Sequence, residues 1–197
     1  MKKRLFTLAC AAMLFLSFTL TAHAATLPEY SYYYATLKQR LSSRSGPGTR
    51  YDEDALTINS ISDGTTLRVL SRSYDSANDR WWMQVEITYQ GTLYRVYTGE
   101  QRFYSLNMSA VPTEYQLGTC RVAYAISDAY WGPGTGYRRA KTVPAGTSCA
   151  IWGYEENAYE DRDYIQIEYY DSGSRCYRRC WVPEWAVDDE YMYYGWP

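Results

Sequence analysis

Histidine is almost missing from this chain: its one copy is His23, and none follows it. That absence removes serine and cysteine nucleophiles activated by an imidazole, in their usual forms. It also removes histidine-based zinc sites. A basic excess is missing too, with 20 lysines and arginines against 22 acidic groups. Nucleic acid and anionic membrane surfaces, which need a basic footprint, are therefore excluded as partners. Residues 25–119 contain no cysteine. No stretch beyond the N-terminal apolar run carries the 3.6-residue period of an amphipathic helix, so helical architectures are excluded. Tyr30 to Leu41 comes nearest, but its tyrosines suit an early strand equally well.

What is present begins with a leader pattern. Lys2-Lys3-Arg4 precedes an apolar run from Leu5 to Leu20, and Ala22-His23-Ala24 supplies the small residues of a cleavage site. Residues 1–24 are expected to be a secretory signal, with Ala25 opening the mature chain. An uncleaved membrane anchor is the alternative, since the run approaches spanning length. Leu8-Ala9-Cys10 is not taken as a lipid-anchor box, because the main apolar run follows Cys10. Without residues 1–24 the charged groups become 17 basic and 22 acidic, a net charge of −5.

The body of the chain repeats itself. Arg44-Ser45-Gly46-Pro47-Gly48-Thr49-Arg50-Tyr51 is answered 86 residues later by Tyr130-Trp131-Gly132-Pro133-Gly134-Thr135-Gly136-Tyr137. Around each copy lie short segments rich in β-branched and aromatic residues, bounded by turn residues. In the first they run through Gly64 to Leu70, Trp81 to Ile87 and Leu93 to Tyr97. In the second, Gly118-Thr119-Cys120, Gly146 to Ile151 and Tyr164-Ile165-Gln166-Ile167-Glu168 keep the same order. An internal repeat of this kind fixes the organisation. The expected fold class is all-β: two small units of about five strands each, over residues 25–105 and 118–197, with 106–117 as a linker. Each unit has about 80 residues, enough for one small core. Gly46 and Gly132 are expected to supply backbone geometry that other residues could not, with proline fixing the next φ angle.

Four cysteines, Cys120, Cys149, Cys176 and Cys180, all fall in the second unit. Outside a reducing compartment an even count favours disulfides. In one straight strand Cys176 and Cys180 would stand about 13 Å apart, too far to bond. Three connectivities stay open. No metal site is expected, since neither paired C-x-x-C spacing nor histidine is there.

The chain at this point resembles the bacterial SH3-like domain family. The residues carrying the likeness are Ala35-Thr36-Leu37, the Arg44 to Tyr51 loop, Gly64-Thr65, Val69-Leu70, Trp81-Trp82, Val85-Glu86 and Tyr97-Thr98-Gly99. The second unit diverges: Tyr130-Trp131 replaces Arg44-Ser45, and Asp163-Tyr164 replaces Trp81-Trp82. Its Trp181 to Val187 segment resembles the closing segment of SH3 folds. The resemblance implies two tandem small SH3-like β-barrels. It also implies a targeting or binding role in an exported bacterial protein, with peptidoglycan cross-bridges as one ligand of the family.

Catalytic resources are thin. Asp52-Glu53-Asp54 and Glu160-Asp161-Arg162-Asp163 could in principle flank a glycan, but they read as solvated loop charges. Neither has the spacing of a calcium loop. Aromatic surface is plentiful, with 23 tyrosines and seven tryptophans. Tyr51, Trp81, Trp82 and Tyr97 in the first unit, and Tyr130, Trp131, Tyr137, Trp181 and Trp185 in the second, are the candidates for a ligand groove. Strand alternation predicts one exposed ring in each adjacent pair. The function expected is a secreted, non-catalytic binding protein without cofactor, recognising cell-wall peptidoglycan peptide. The alternative is an extracellular adaptor for a protein partner, and a carboxylate-based wall-glycan hydrolase ranks third.

Overall fold

Among the described residues the strands form two equivalent four-stranded antiparallel sheets, so the all-β class holds. Each unit has four strands where about five were expected, and neither sheet closes into the expected barrel. In chain order, β1 (Tyr33–Thr36), β2 (Thr66–Asp75), β3 (Arg80–Tyr89) and β4 (Thr92–Gly99) form the first. The second consists of β5 (Gly118–Arg121), β6 (Ser148–Asn157), β7 (Arg162–Asp171) and β8 (Cys176–Pro183). The computed structural model describes residues 33–53, 61–126 and 128–188. The expected signal over 1–24 lies outside them. Among the described residues there is no α-helix, and no helix long and apolar enough to cross a membrane.

The local chemistry explains the sheets. Gln90 and Gly91 both take positive φ, 50° and 77°, and make the two-residue turn that joins β3 to β4. Their backbone twist matches that of the flanking strands. β2 and β6 break register at the same place, between Val69 and Ser71 and between Ile151 and Gly153. After β4 and after β8 a 3-10 turn follows, Glu100–Arg102 and Glu184–Ala186. Isolated bridges, Leu37 with Phe103 and Val122 with Val187, then bring the chain back beside the end of the first strand of each sheet.

Each sheet covers its own apolar core. Leu37, Leu67, Val69, Met83, Val85, Ile87, Val96 and Phe103 fill the first. Val122, Cys149, Ile151, Ile165, Ile167, Cys180 and Val182 fill the second. A two-layer unit of this kind should show buried residues alternating with exposed ones along each strand. β3 and β7 break that rule. Trp82 to Val85 and Tyr164 to Tyr169 are buried at every position. Their second faces are covered because the two repeats pack against each other, and the described residues of both belong to one compact unit.

The 106–117 segment is tied down along its length. Val111 is buried in the first core, and Arg72 N–H donates to the Pro112 carbonyl. Glu114 N–H donates to Arg72, and Leu117 N–H to Ile151 of the second sheet.

Candidate functional site

The duplicated Gly-Pro-Gly-Thr loops are where the two repeats meet. Each lies across the last strand of its own sheet and reaches the last strand of the other. Arg44 bridges Tyr97 of its own β4, while Tyr51 bridges Tyr177 of β8. In the second copy Tyr130 bridges Trp181 of its own β8, while Tyr137 bridges Leu93 of β4. Trp131 goes further and joins the apolar core of the first repeat.

The glycines permit this closeness in two different ways. A Cβ on Gly46 would stand 2.2 Å from the Tyr51 ring, and one on Gly132 would stand 2.2 Å from the Tyr137 ring. Left-handed φ occurs instead at the second glycine of each loop, 138° at Gly48 and 147° at Gly134. The expectation that Gly46 and Gly132 serve unusual backbone angles is thus corrected. They make room for the tyrosine five residues on.

At the meeting face each loop tyrosine donates to a glutamate of the other repeat. Tyr51 OH reaches Glu168 at 2.5 Å, and Tyr137 OH reaches Glu86 at 2.5 Å. Each glutamate also accepts from an arginine of its own sheet, Arg179 Nε at 2.7 Å and Arg95 Nε at 3.0 Å. Arg95 then crosses to the other repeat, and Arg179 to the connector. Arg95 forks onto Glu155 at 2.5 and 2.9 Å, and Arg179 Nη1 reaches Glu114 at 2.7 Å. Tyr97 OH sits between the sheets, accepting from Gln84 at 3.0 Å and Gln166 at 3.2 Å and donating to Glu114 at 2.9 Å. The Arg179 guanidinium also stacks 3.8 Å from the centroid of Trp152.

Electrostatics follow from that crowding. Burial pushes the Glu86 carboxyl up, but Arg95, Tyr137 and Arg68 outweigh it and hold the group below the usual carboxylate range. Burial drives the Tyr51 phenol up to about 12, against the pull of Arg179. Glu86 therefore stays ionised and Tyr51 neutral at neutral pH, and the bonding capacity of the set is spent within it. The set forms a fastener between the repeats and gives no open acid–base pair.

The nine candidate rings divide accordingly. Tyr51, Trp82, Tyr97, Tyr130, Trp131 and Trp181 are buried. Trp81 and Tyr137 are half-buried, and Trp185 is exposed. Trp81 and Trp82 point to opposite strand faces, but neither is exposed, since Trp81 packs half-buried against the first core and Trp82 is buried on the other face. Tyr130-Trp131 leaves no ring exposed either, because Tyr130 packs on Tyr164 and Trp181 while Trp131 fills the neighbouring core. Both acidic clusters hold loops: Glu53 pairs with Arg44 at 2.8 Å, Asp52 pairs with Arg178, and Glu160 accepts from Thr135 N–H at 2.6 Å. Among the described residues no group of three or more His, Cys, Asp or Glu side chains is placed to hold a metal.

Two aromatic–arginine stacks remain open to solvent. On the β2–β3 hairpin, the Tyr74 and Trp81 rings lie 5.1 Å apart, and Arg72 stacks 4.5 Å from the Trp81 centroid. Arg72 makes no ion pair among the described residues, its Nε donating to Thr113 at 2.9 Å. Where the repeats join, Arg50 of the first loop stacks 4.8 Å from Tyr177, whose ring lies 5.3 Å from Tyr170. Tyr74 and Tyr170 each expose about half their surface, at 49% and 52%.

Neither stack is duplicated. In the second repeat the register positions of Tyr74 and Trp81 hold Glu156 and Asp163. Gly136 stands at the loop position of Arg50. Reading the sequence did not find Tyr74, Tyr170 and Tyr177, since nothing in their spacing distinguishes them from the other tyrosines. Glu86, Glu168, Arg95 and Arg179 did leave a signal, as charges recurring at matched places inside otherwise apolar strands. No family model, curated protein or solved structure matches this chain.

Proposed function

We propose that this chain is an exported, non-catalytic binding protein whose two SH3-like modules recognise peptidoglycan peptide in the bacterial cell envelope. The SH3-like reading is supported by the four strands in succession, the 3-10 turn after the last, and the bridge back to the first. Export rests on the leader pattern at residues 1–24. The observation that carries the binding role is the pair of open aromatic–arginine stacks. Flat rings give contact area at small entropic cost. The Arg72 guanidinium held over Trp81 is placed to meet a carboxylate, while Arg50 is already paired with Glu168 at 3.6 Å. Wall peptides combine short aliphatic side chains with free carboxylates, which is the complement of such a surface.

Cosedimentation of the purified protein with wall sacculi tests this reading. Binding is expected, and Trp81→Ala and Tyr170→Ala should each weaken it about tenfold, as loss of an aromatic anchor does. Protein left wholly in the supernatant at low salt overturns it. The second reading, an extracellular adaptor for a protein partner, draws on the stacks being single where the fold is double. Binding to a secreted protein that is lost in both variants, with sacculi left unbound, would favour it.

A further inference from the structure

Cys120 and Cys149 face each other directly across the β5–β6 pair. Both are buried in the second core. Direct antiparallel neighbours have Cα atoms about 4.5–5.5 Å apart, inside the range a disulfide requires. Cys176 and Cys180 share β8, whose pairing with β7 runs without a break from Asp171–Cys176 to Tyr164–Pro183. Four residues of straight strand separate them by about 13 Å, so they cannot bond to each other. All four are thiols in the structure.

We infer that Cys120 and Cys149 are a disulfide-forming pair, and that Cys176 and Cys180 remain thiols in the oxidised protein. This rests on the export reading only for where the oxidation happens in the cell. Both side chains lie on the core side of the β5–β6 ladder, so a small disulfide reaches them when the short edge strand β5 opens. Cys149 lowers the Cys120 thiol below its ordinary value, whereas Cys120 and burial raise Cys149. Oxidation then runs as thiol–disulfide exchange in two steps, with Cys120 taken first. Its sulfur bonds to one sulfur of a glutathione disulfide and expels the other as glutathione thiolate. Cys149 then gives up its proton and attacks Cys120 sulfur, releasing the second glutathione. Two electrons and two protons pass from the pair to the glutathione disulfide, leaving one protein disulfide and two glutathiones.

Trypsin separates all four cysteines, into peptides 103–121, 142–162, 176–178 and 180–197. The test equilibrates the purified protein with oxidised and reduced glutathione, alkylates the remaining thiols and maps the digest by mass. The expected result is peptide 103–121 joined to 142–162, with 176–178 and 180–197 alkylated. The oxidised protein should also have a higher urea midpoint than the reduced one. A link from 142–162 to 180–197, or four alkylated peptides under oxidising buffer, overturns the inference. If the link forms in glutathione but is missing from protein recovered outside an exporting host, the export reading fails and the pairing stands.

Discussion

At the scale of single residues, the repeated Gly-Pro-Gly-Thr motif is explained by what its tyrosine does. The first glycine is a floor for the ring, the second takes the left-handed angle, and the tyrosine hydroxyl crosses to the other repeat. Gly132→Ala forces a methyl group into the Tyr137 ring, an overpacking that costs about 1–3 kcal/mol. Tyr51→Phe is the complementary probe. It removes one donor from Glu168 while Arg179 stays, and a hydrogen bond to a charged group contributes about 1.5–3 kcal/mol. Urea midpoints measure both, and an unchanged midpoint in either would remove the residue from this account. The motif's recurrence was legible in the sequence, but the division of labour between its glycines was not. A close approach depends on which ring lies above the backbone, and spacing does not carry that.

Among the elements, β3 and β7 show where alternation misleads. Gln84 and Glu86, like Gln166 and Glu168, fall on the strand face opposite the apolar core, which a lone sheet turns to water. Here that face is buried by the other repeat, and the charges are neutralised in place. The four strands of each sheet and their order could be read from the sequence because one face of each is apolar with period two, whereas the fifth strand expected in each unit is not among them. The meeting of the polar faces could not, since polar side chains look the same to a local pattern whether solvent or another sheet covers them. Arg179→Ala leaves Glu114 buried without its cation, and leaves Glu168 only the longer pair with Arg50 at 3.6 Å. Breaking a buried pair this way costs about 3–5 kcal/mol. Arg179→Met, which retains volume, should fall less than a variant that leaves a cavity as well. The pH dependence has a definite sign. Glu86 is held below its ordinary value in the folded state, so its contribution is complete above the unfolded value of about 4.3 and fades as pH falls through the folded one. Acid titration of stability should therefore show a loss below about pH 4.5 that Glu86→Gln reduces. A pH profile identical in that variant would show the carboxylate to be uncoupled from folding.

For the whole molecule, the exchange of loops sets how the two repeats fail. Were they beads on the 106–117 segment, each would melt by its own core, and calorimetry would resolve two transitions. Instead Trp131 of the second loop is part of the first core, Val111 of the connector fills that same core, Arg95 bonds to carboxylates of both repeats, and Arg179 joins Glu168 of its own sheet to Glu114 of the connector. Neither repeat can lose its packing without exposing buried charge on the other. A single cooperative transition is expected, with calorimetric and van't Hoff enthalpies equal. Trp131→Ala sharpens the test, because the residue belongs by sequence to one repeat and by packing to the other. Truncating a buried tryptophan costs about 3–5 kcal/mol. In the variant, amide hydrogen exchange should speed up in β3 and β4 as much as in β7 and β8. Acceleration confined to the second sheet would mean that the repeats open independently, and that the stack of Arg50 on Tyr177, which needs both, is made and broken apart from either fold.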